Sequence, residues 1–150
     1  MSTDQLKART LEGFERMFNQ GDLGAVDEAV NAAGTDHQEP LGTGFPAHLR
    51  EVVTTLRTAF PDLHFEVHQI VCEGDIVATR STMTGTHRGR FALGPLAAIE
   101  PKGAKVAVPH MHFFRYENGR VVDLWHVWDT LKLMQQLGAP APDLRVPQVA

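Results

Sequence analysis

One stretch of the chain, HMHFFRYENGRVVDLWHVWD at residues 110–129, contains three of the eight histidines and both tryptophans. Side chains two positions apart on a strand share a face, so His110 and His112 are predicted to point the same way. Imidazole titrates near neutral pH and serves as a general acid or base. Two such groups on an aromatic wall could divide a reaction, one taking a proton and the other stabilising an oxyanion. Partly buried histidines with ordinary hydrogen bonds are the alternative interpretation.

The pairing of these side chains depends on the hairpin register. The Asn-Gly dipeptide between the two apolar segments is a strong hairpin signal. If the hairpin contains a bulge, His112 lies opposite His126, and Trp128 lies beside His110. A strict two-residue turn would place Trp125 opposite His112 instead. The sequence leaves both registers open.

Two further interpretations compete at this hairpin. His110, His112 and His126 could supply three ligands to a metal and leave one position open, although the spacing shows no supporting carboxylate. Asp129 stands where a helix begins, so an N-cap competes with a catalytic role. Asp123 is predicted to face away from His126.

Polar residues elsewhere offer fewer possibilities. Asp36 and His37 lie in a segment rich in turn formers, residues 35–46, from which they could reach a ligand. An Asx turn would explain Asp36 equally well. His48 is predicted to be a surface residue of a helix, and His87 to frame the rim of a pocket.

The composition sets broad limits on function. The chain has 150 residues, 43% of them hydrophobic and 21% charged, as expected for one globular domain. A net charge of −4 argues against a nucleic-acid partner, and no segment is apolar enough to predict a membrane span. The polar N-terminus and the single cysteine, Cys72, predict a cytoplasmic protein. No nucleotide-binding, nucleophile-elbow or HExxH motif is present, so no cofactor is expected.

Helices are predicted in the first part of the chain. Apolar residues at helical spacing predict a helix from Ser2 to a turn at Gly21, and Asp22 is predicted to cap a shorter second helix. A third helix begins at Pro46 and ends before Pro61.

Alternating, β-branched segments follow. LHFEVHQIVCEGDIVATRSTMTG predicts a hairpin that turns at residues 73–75, and a second hairpin is predicted over 105–128. Pro109, within a strand, predicts a bulge or a bend. A short helix closed by Gly138 comes next, and a proline-rich tail occupies residues 139–150.

This order of elements predicts an α+β domain at residues 1–138. Helices from the N-terminal part would pack on one face of a strongly curved antiparallel sheet. Such a sheet, covered by helices, forms a cone whose open end can hold a small ligand.

The segments FNQGDLGAVDEAV, DHQEP, LRTAFPDLHFEVHQIVCEGDIVATRSTMTGTHRGRF and FFRYENGRVVDLWHVWDTLKLMQQLG resemble the SnoaL-like polyketide cyclases, also called ester cyclases. The resemblance extends from about Leu6 to Gly138. It implies the α+β cone shared with ketosteroid isomerase and nuclear transport factor two. It also implies ring closure of an aromatic polyketide by cofactor-independent intramolecular aldol chemistry, and relatives act as hydroxylases, hydrolases or isomerases.

The resemblance also suggests roles for individual residues. His112 matches the pocket histidine expected near the oxyanion, and Asp36 matches a pocket Asn or Asp that precedes His37. His126 occupies the position where the cyclases carry an aspartate as acid/base. This departure leaves an altered activity, or a non-catalytic small-molecule-binding protein, as alternatives to cyclisation.

The candidate catalytic residues are therefore His126, His112 and Asp129. No metal is expected, and the resemblance implies a homodimer or homotetramer. The predicted partner is a hydrophobic, polyketide-derived small molecule, whose candidate contacts are Asp36, His37, Phe60, Met83, Phe91, His110, Phe114, Trp125 and Trp128.

Overall fold

A curved, unclosed five-stranded sheet packs against the N-terminal helices. The structure is a computed structural model, and it describes residues 1–140. In the order β1-β5-β4-β3-β2, β1 runs parallel to β5 and every other neighbouring pair is antiparallel. The strands are β1 (Val30–Asp36), β2 (His64–Glu73), β3 (Ile76–Thr86), β4 (Lys105–Glu117) and β5 (Arg120–Trp128). The predicted α+β cone is confirmed.

Helices occur in all four regions where the sequence predicts them, and the first of them is irregular. Helix α3 begins with a proline in its first turn and ends just before Pro61, as predicted. The first predicted helix changes at Phe14 into a π-helical segment, which ends before Gly21. The helical elements are α1 (Thr3–Gly13), the π-helix (Phe14–Asn19), α2 (Ala25–Ala29), α3 (Phe45–Ala59), a 3₁₀ turn (Gly94–Ala98) and α4 (Thr130–Gln136).

The capping of α2 differs from the prediction. Gly24, not Asp22, is the N-cap residue of this short helix. The Asp22 carboxylate instead accepts hydrogen bonds from the backbone N–H groups of Gly24 and Ala25 and pairs with Arg16. Asp22 thus stabilises the turn that precedes the helix, two residues before the N-cap.

Strand β1 was not predicted. Its sequence, VNAAGTD, lacks the alternation of large apolar residues that identifies a strand. The strand forms because β5 offers a parallel edge, with Val30 opposite Val121 and Asp36 opposite Leu124. A Cβ atom at Gly34 would lie 2.8 Å from the Phe45 ring, so glycine permits the close approach of α3.

The β4–β5 hairpin adopts the bulged register. Asn118 and Gly119 have φ values of 50° and 74°, as a tight turn of this kind requires. The register then shifts by one residue after the turn, between Arg115 and Tyr116. As a result His112 lies directly opposite His126, and the other predicted register is excluded.

Pro109 introduces no register shift against β3, so the predicted bulge is absent from this pairing. The carbonyl of Pro109 accepts the N–H of Asp129. The carbonyl of Asp129 is itself used by the N–H of Leu133 in α4. Because Leu133 already donates to the Asp129 carbonyl, the N–H that proline lacks leaves no carbonyl of Asp129 without a donor.

Two buried clusters support the fold, one around Phe60 and Met83 and the other around Val26 and Phe45. Among residues 1–140 no helix is long and apolar enough to span a membrane. Most of the predicted tail lies outside the described residues.

Candidate active site

A cavity of about 470 Å³ lies between the concave face of the sheet and the helices. It takes wall residues from both buried clusters, and its walls are mainly apolar. The principal apolar side chains are Phe14, Met17, Phe18, Phe45, Leu49, Val52, Leu56, Phe65, Leu93, Phe114, Val121, Leu124 and Trp128. A few polar groups interrupt this surface, an arrangement typical of small-molecule sites.

Asp36 and His126 form a hydrogen-bonded pair in the wall. The parallel pairing of β1 with β5 brings Asp36 beside Leu124, two positions from His126, and Asp36 Oδ2 lies 3.2 Å from His126 Nε2. The Asp36 side chain is 7% exposed, whereas that of His126 is 29% exposed. Asp36 Oδ1 also accepts the N–H of Gln38, so the Asx turn and the pocket position are both present.

The charge of Asp36 is maintained by its hydrogen bonds. Burial of the carboxyl would raise its pKa, but hydrogen bonds from His126 and the Gln38 N–H outweigh this effect and keep the pKa below its ordinary value. An ionised carboxylate accepts only, so Nε2 of His126 carries the proton. In the neutral ring, Nδ1 then holds the lone pair and is the basic nitrogen.

His112 occupies the wall directly opposite His126, with ring centroids 5.8 Å apart. Its ring stacks on Phe114 at 5.5 Å and meets the edge of Phe14 at 5.3 Å. Burial, assisted by the neighbouring His110 and His126, holds the pKa of His112 well below the ordinary histidine value. His112 is therefore a neutral imidazole, suited to donating a hydrogen bond rather than to carrying charge.

His110 is also buried, and its ring contacts the rings of Phe65 and Trp128. Burial, and to a lesser degree His126, lowers the pKa of His110 to about 3. Its Nε2 and the Nδ1 of His112 have no hydrogen-bond partner among residues 1–140. Both rings are uncharged at neutral pH, which suits a largely apolar wall.

A second polar group lies close to Asp36. His48 Nε2 is 3.2 Å from Glu39 Oε1, and donor atoms of Asp36, Glu39 and His48 lie within 4.8 Å of one another. This is the one set of residues within 1–140 that could hold a metal ion, and it differs from the histidine trio considered from the sequence. His48 was predicted to face solvent, but it lines the cavity.

Asp129 and the His37–Trp125 pair lie outside the cavity wall. Asp129 is the N-cap of α4 and accepts the Lys132 N–H at 2.9 Å. His37 stacks on Trp125 at 4.6 Å on the outer side of the sheet and contacts Asp123 at 2.7 Å. Asp123 faces away from His126, as predicted.

Four more residues suggested for the pocket or its rim belong to the closed core instead. Phe60, Met83 and Phe91 are completely buried and are not part of the cavity wall. His87, expected at the rim, is also fully buried and packs against Phe60. The candidate residues that the structure does bring together at the cavity are Asp36, His110, His112, Phe114, His126 and Trp128.

Sequence reasoning missed His48, Glu39, Gln38 and Arg9. The position of His48 had a signal, because it follows Phe45 by three residues and precedes Val52 by four, on the apolar face of α3. Arg9 lies three residues after Leu6 in the first predicted helix, whereas Gln38 and Glu39 lie in a loop where no period indicates burial.

A helix-covered, curved sheet that encloses an apolar cavity, with an Asp–His pair and a neutral histidine side by side on one wall, defines a small-molecule site of the cone-shaped α+β class. The chain belongs to the SnoaL-like polyketide cyclase family, whose model matches residues 8–137. No protein of curated function has a significantly similar sequence.

Solved structures agree with this assignment. TsrD from Streptomyces laurentii shares 24% identity, with a TM-score of 0.80 over 93% of this chain and 99% of that one, which supports the fold. AclR from Streptomyces galilaeus, a hydroxylase by provisional assignment, is 29% identical, with a TM-score of 0.77 and coverage of 91% and 98%. IdmH from Streptomyces antibioticus, a polyketide cyclase by provisional assignment, is 27% identical, with a TM-score of 0.70 and coverage of 88% and 98%.

Proposed function

We propose that this protein catalyses a cofactor-independent, acid/base-assisted cyclisation of a hydrophobic carbonyl compound, with an aromatic polyketide as the substrate class. The observation that carries the proposal is the Asp36–His126 pair, which lies beside a neutral His112 on one wall of an apolar cavity. Its volume of about 470 Å³ lies within the ordinary range for small-molecule sites.

His126 is the proposed general base. Nδ1 removes a proton from the carbon next to a carbonyl, and the resulting enolate carbon attacks a second carbonyl carbon in the same molecule. The new alkoxide oxygen then takes the proton back from the imidazolium, so product and substrate have the same mass. The ionised Asp36 stabilises the imidazolium while it exists.

His112 is the proposed hydrogen-bond donor to the developing oxyanion. The N–H of a neutral imidazole can donate a hydrogen bond to the oxyanion, and the aromatic rings around His112 keep water away. Holding both reacting ends within one apolar cavity supplies further acceleration.

Hydroxylation in the same cavity is the second candidate reaction, favoured by the 29% identity with AclR. Hydroxylation adds the mass of one oxygen, whereas cyclisation by aldol addition adds none. A non-catalytic binding protein is the remaining alternative, and it would bind without turnover.

The test is mass-resolved chromatography of anthraquinone-type polyketide precursors incubated with the chelator-treated protein. We expect a product of unchanged mass that disappears with His126→Ala. A product heavier by one oxygen would replace the cyclase proposal with hydroxylation. Binding without any product would favour the carrier. Activity lost with the chelator and restored by a divalent metal would contradict the cofactor-independent reaction and direct attention to Asp36, Glu39 and His48.

The outer face of β4 and β5 suggests a homodimer. Met111 is paired with Val127 and Phe113 with Trp125, and these four side chains are 37–63% exposed. A contiguous apolar patch of this kind marks an interaction site, and we propose a second copy as its partner. Light scattering should show a dimer that Phe113→Asp converts to a monomer. Leu41→Asp, in an exposed loop, is the matched control, and a monomeric unaltered protein would contradict the proposal.

A further inference from the structure

The cavity has a second polar end, distant from the Asp36–His126 pair. Tyr116 lies four residues beyond His112 on β4, which corresponds to about 13 Å along the strand. Arg9 and Thr10 of α1 line this end together with Tyr116, and Val121, opposite Tyr116, completes the wall.

Arg9 is only partly satisfied there. Its Nη2 donates to the backbone carbonyl of Glu28 at 3.0 Å, whereas its buried Nε has no partner among residues 1–140. The Glu28 carboxylate is bound by Arg16 at 2.7 Å, and Arg16 also binds Asp22. Within the described chain, no carboxylate lies within ion-pair distance of Arg9.

The neighbouring hydroxyls do not neutralise this cation. Thr10 Oγ1 donates to the Leu6 carbonyl at 2.9 Å, so the Tyr116 hydroxyl is the donor in the 2.8 Å contact between the two side chains. Burial raises the pKa of Tyr116, so the phenol remains protonated and uncharged.

The remaining charged groups of the cavity wall stand at the opposite end. Asp36 contacts His126, and Glu39 contacts His48, so both carboxylates already have partners. Arg9 is the one Arg or Lys side chain in the described wall. A guanidinium without a counter-ion beside an apolar cavity is best satisfied by a negatively charged acceptor on the ligand.

We propose that Arg9 forms a subsite for a carboxylate of the substrate, placed far from the reacting carbons. The substrate is then a free acid rather than the corresponding ester. The proposal rests on the proposed function for the identity of the reaction, but the binding preference itself requires no turnover.

The experiment compares two probes, anthraquinone-2-carboxylate and its methyl ester, by titration of tryptophan fluorescence. Trp128 lines the cavity and reports occupancy. We expect the acid to bind roughly tenfold or more tightly than the ester, as a charge-assisted hydrogen bond allows. Equal affinities in the unaltered protein would overturn the proposal, and this comparison needs no variant.

Variants assign the preference to Arg9. Arg9→Gln should remove the advantage of the acid and leave ester affinity unchanged, while Arg9→Lys, which keeps the charge, should retain part of it. Arg50→Gln is the matched control, because Arg50 pairs with Asp27 outside the cavity. Retention of the full acid preference in a folded Arg9→Gln protein would also overturn the proposal.

The two proposals fail in different ways. An Arg9-dependent preference for the acid without any product would preserve the subsite and contradict the cyclase. Cyclisation with equal kcat/KM for a free acid and its methyl ester would preserve the cyclase and contradict the subsite.

Discussion

Replacing His126 with glutamine should lower kcat by about 10²- to 10⁴-fold, the usual contribution of a general base. The glutamine amide can still donate a hydrogen bond to the buried Asp36 carboxylate, so the variant keeps the fold but has no basic nitrogen. His126→Ala should lose as much activity and also some stability, because Asp36 would lack its partner. Steady-state kinetics on the cyclised substrate, with exposed His64→Gln as control, measures the effect.

Asp36→Asn tests whether the pair acts as a unit. Removing the charge forfeits a hydrogen bond to a charged group, about 1.5–3 kcal/mol, or roughly 10- to 200-fold in rate. If Asp36 acts by orienting and stabilising His126, the double variant Asp36→Asn/His126→Gln should be no slower than His126→Gln alone. Independent, multiplicative losses would assign Asp36 a separate role. Near-normal activity of His126→Gln would exclude His126 as the base.

How far the sequence predicts the site depends on which contacts are local. The Asn-Gly turn and the histidine spacing predict that His112 and His126 belong to paired strands. The choice between the two registers depends on a bulge beside Arg115, which no residue in the turn specifies. Once the bulge is present, both histidines face the same cavity.

The partner of His126 could not be predicted from spacing. Asp36 lies 90 positions earlier in the chain and reaches His126 through the parallel pairing of β1 with β5. VNAAGTD gives no strand signal of its own, so the neighbouring edge determines its conformation. Its loop position suggested only that Asp36 could reach a ligand, and the resemblance to a known family supplied the pocket assignment.

For large apolar residues, the sequence pattern does not show which of them line the cavity. The sequence pattern makes Phe60, Met83 and Phe91 candidates for burial, and they are buried, but it does not separate a closed core from a cavity wall. Trp125 was predicted to line the pocket because it lies next to His126 in the sequence. Strand alternation instead places it on the outer face with His37. Whether a buried residue lies in the closed core or in the cavity wall depends on where the helices leave space above the sheet. That is a property of packing rather than of local pattern.

The neutral histidines of the cavity wall predict a strong pH dependence of stability. His110 has a pKa of about 3 in the folded protein against 6.5 as its ordinary value, and the pKa of His112 is also far below that value. Between these limits the unfolded chain binds more protons than the folded one, so the free energy of unfolding rises with pH. As pH falls below about 6.5, each histidine can remove up to about 1.4 kcal/mol per pH unit.

The carboxylates act in a different pH window. The lowered pKa of Asp36 contributes stability that is present above its ordinary value of 3.8 and is lost only as pH falls below it. A loss of stability between pH 6.5 and pH 4.5 therefore reports the buried histidines. His87 contributes to this loss, because its pKa is also lowered. Two histidines could together remove several kcal/mol, a large fraction of the stability of an ordinary domain.

Urea unfolding followed by tryptophan fluorescence, at constant protein concentration and several pH values, measures this effect. His110→Phe and His112→Phe replace each ring with an uncharged one in aromatic surroundings, so each should flatten the pH dependence, and the double variant should flatten it most. His64→Gln, at an exposed position, should leave the slope unchanged. A free energy of unfolding that stays constant from pH 7 to pH 5 would show that water reaches these rings. The neutral donor assigned to His112 would then lose its physical basis, because an imidazole that takes up protons from solvent at that pH is not held uncharged by the wall.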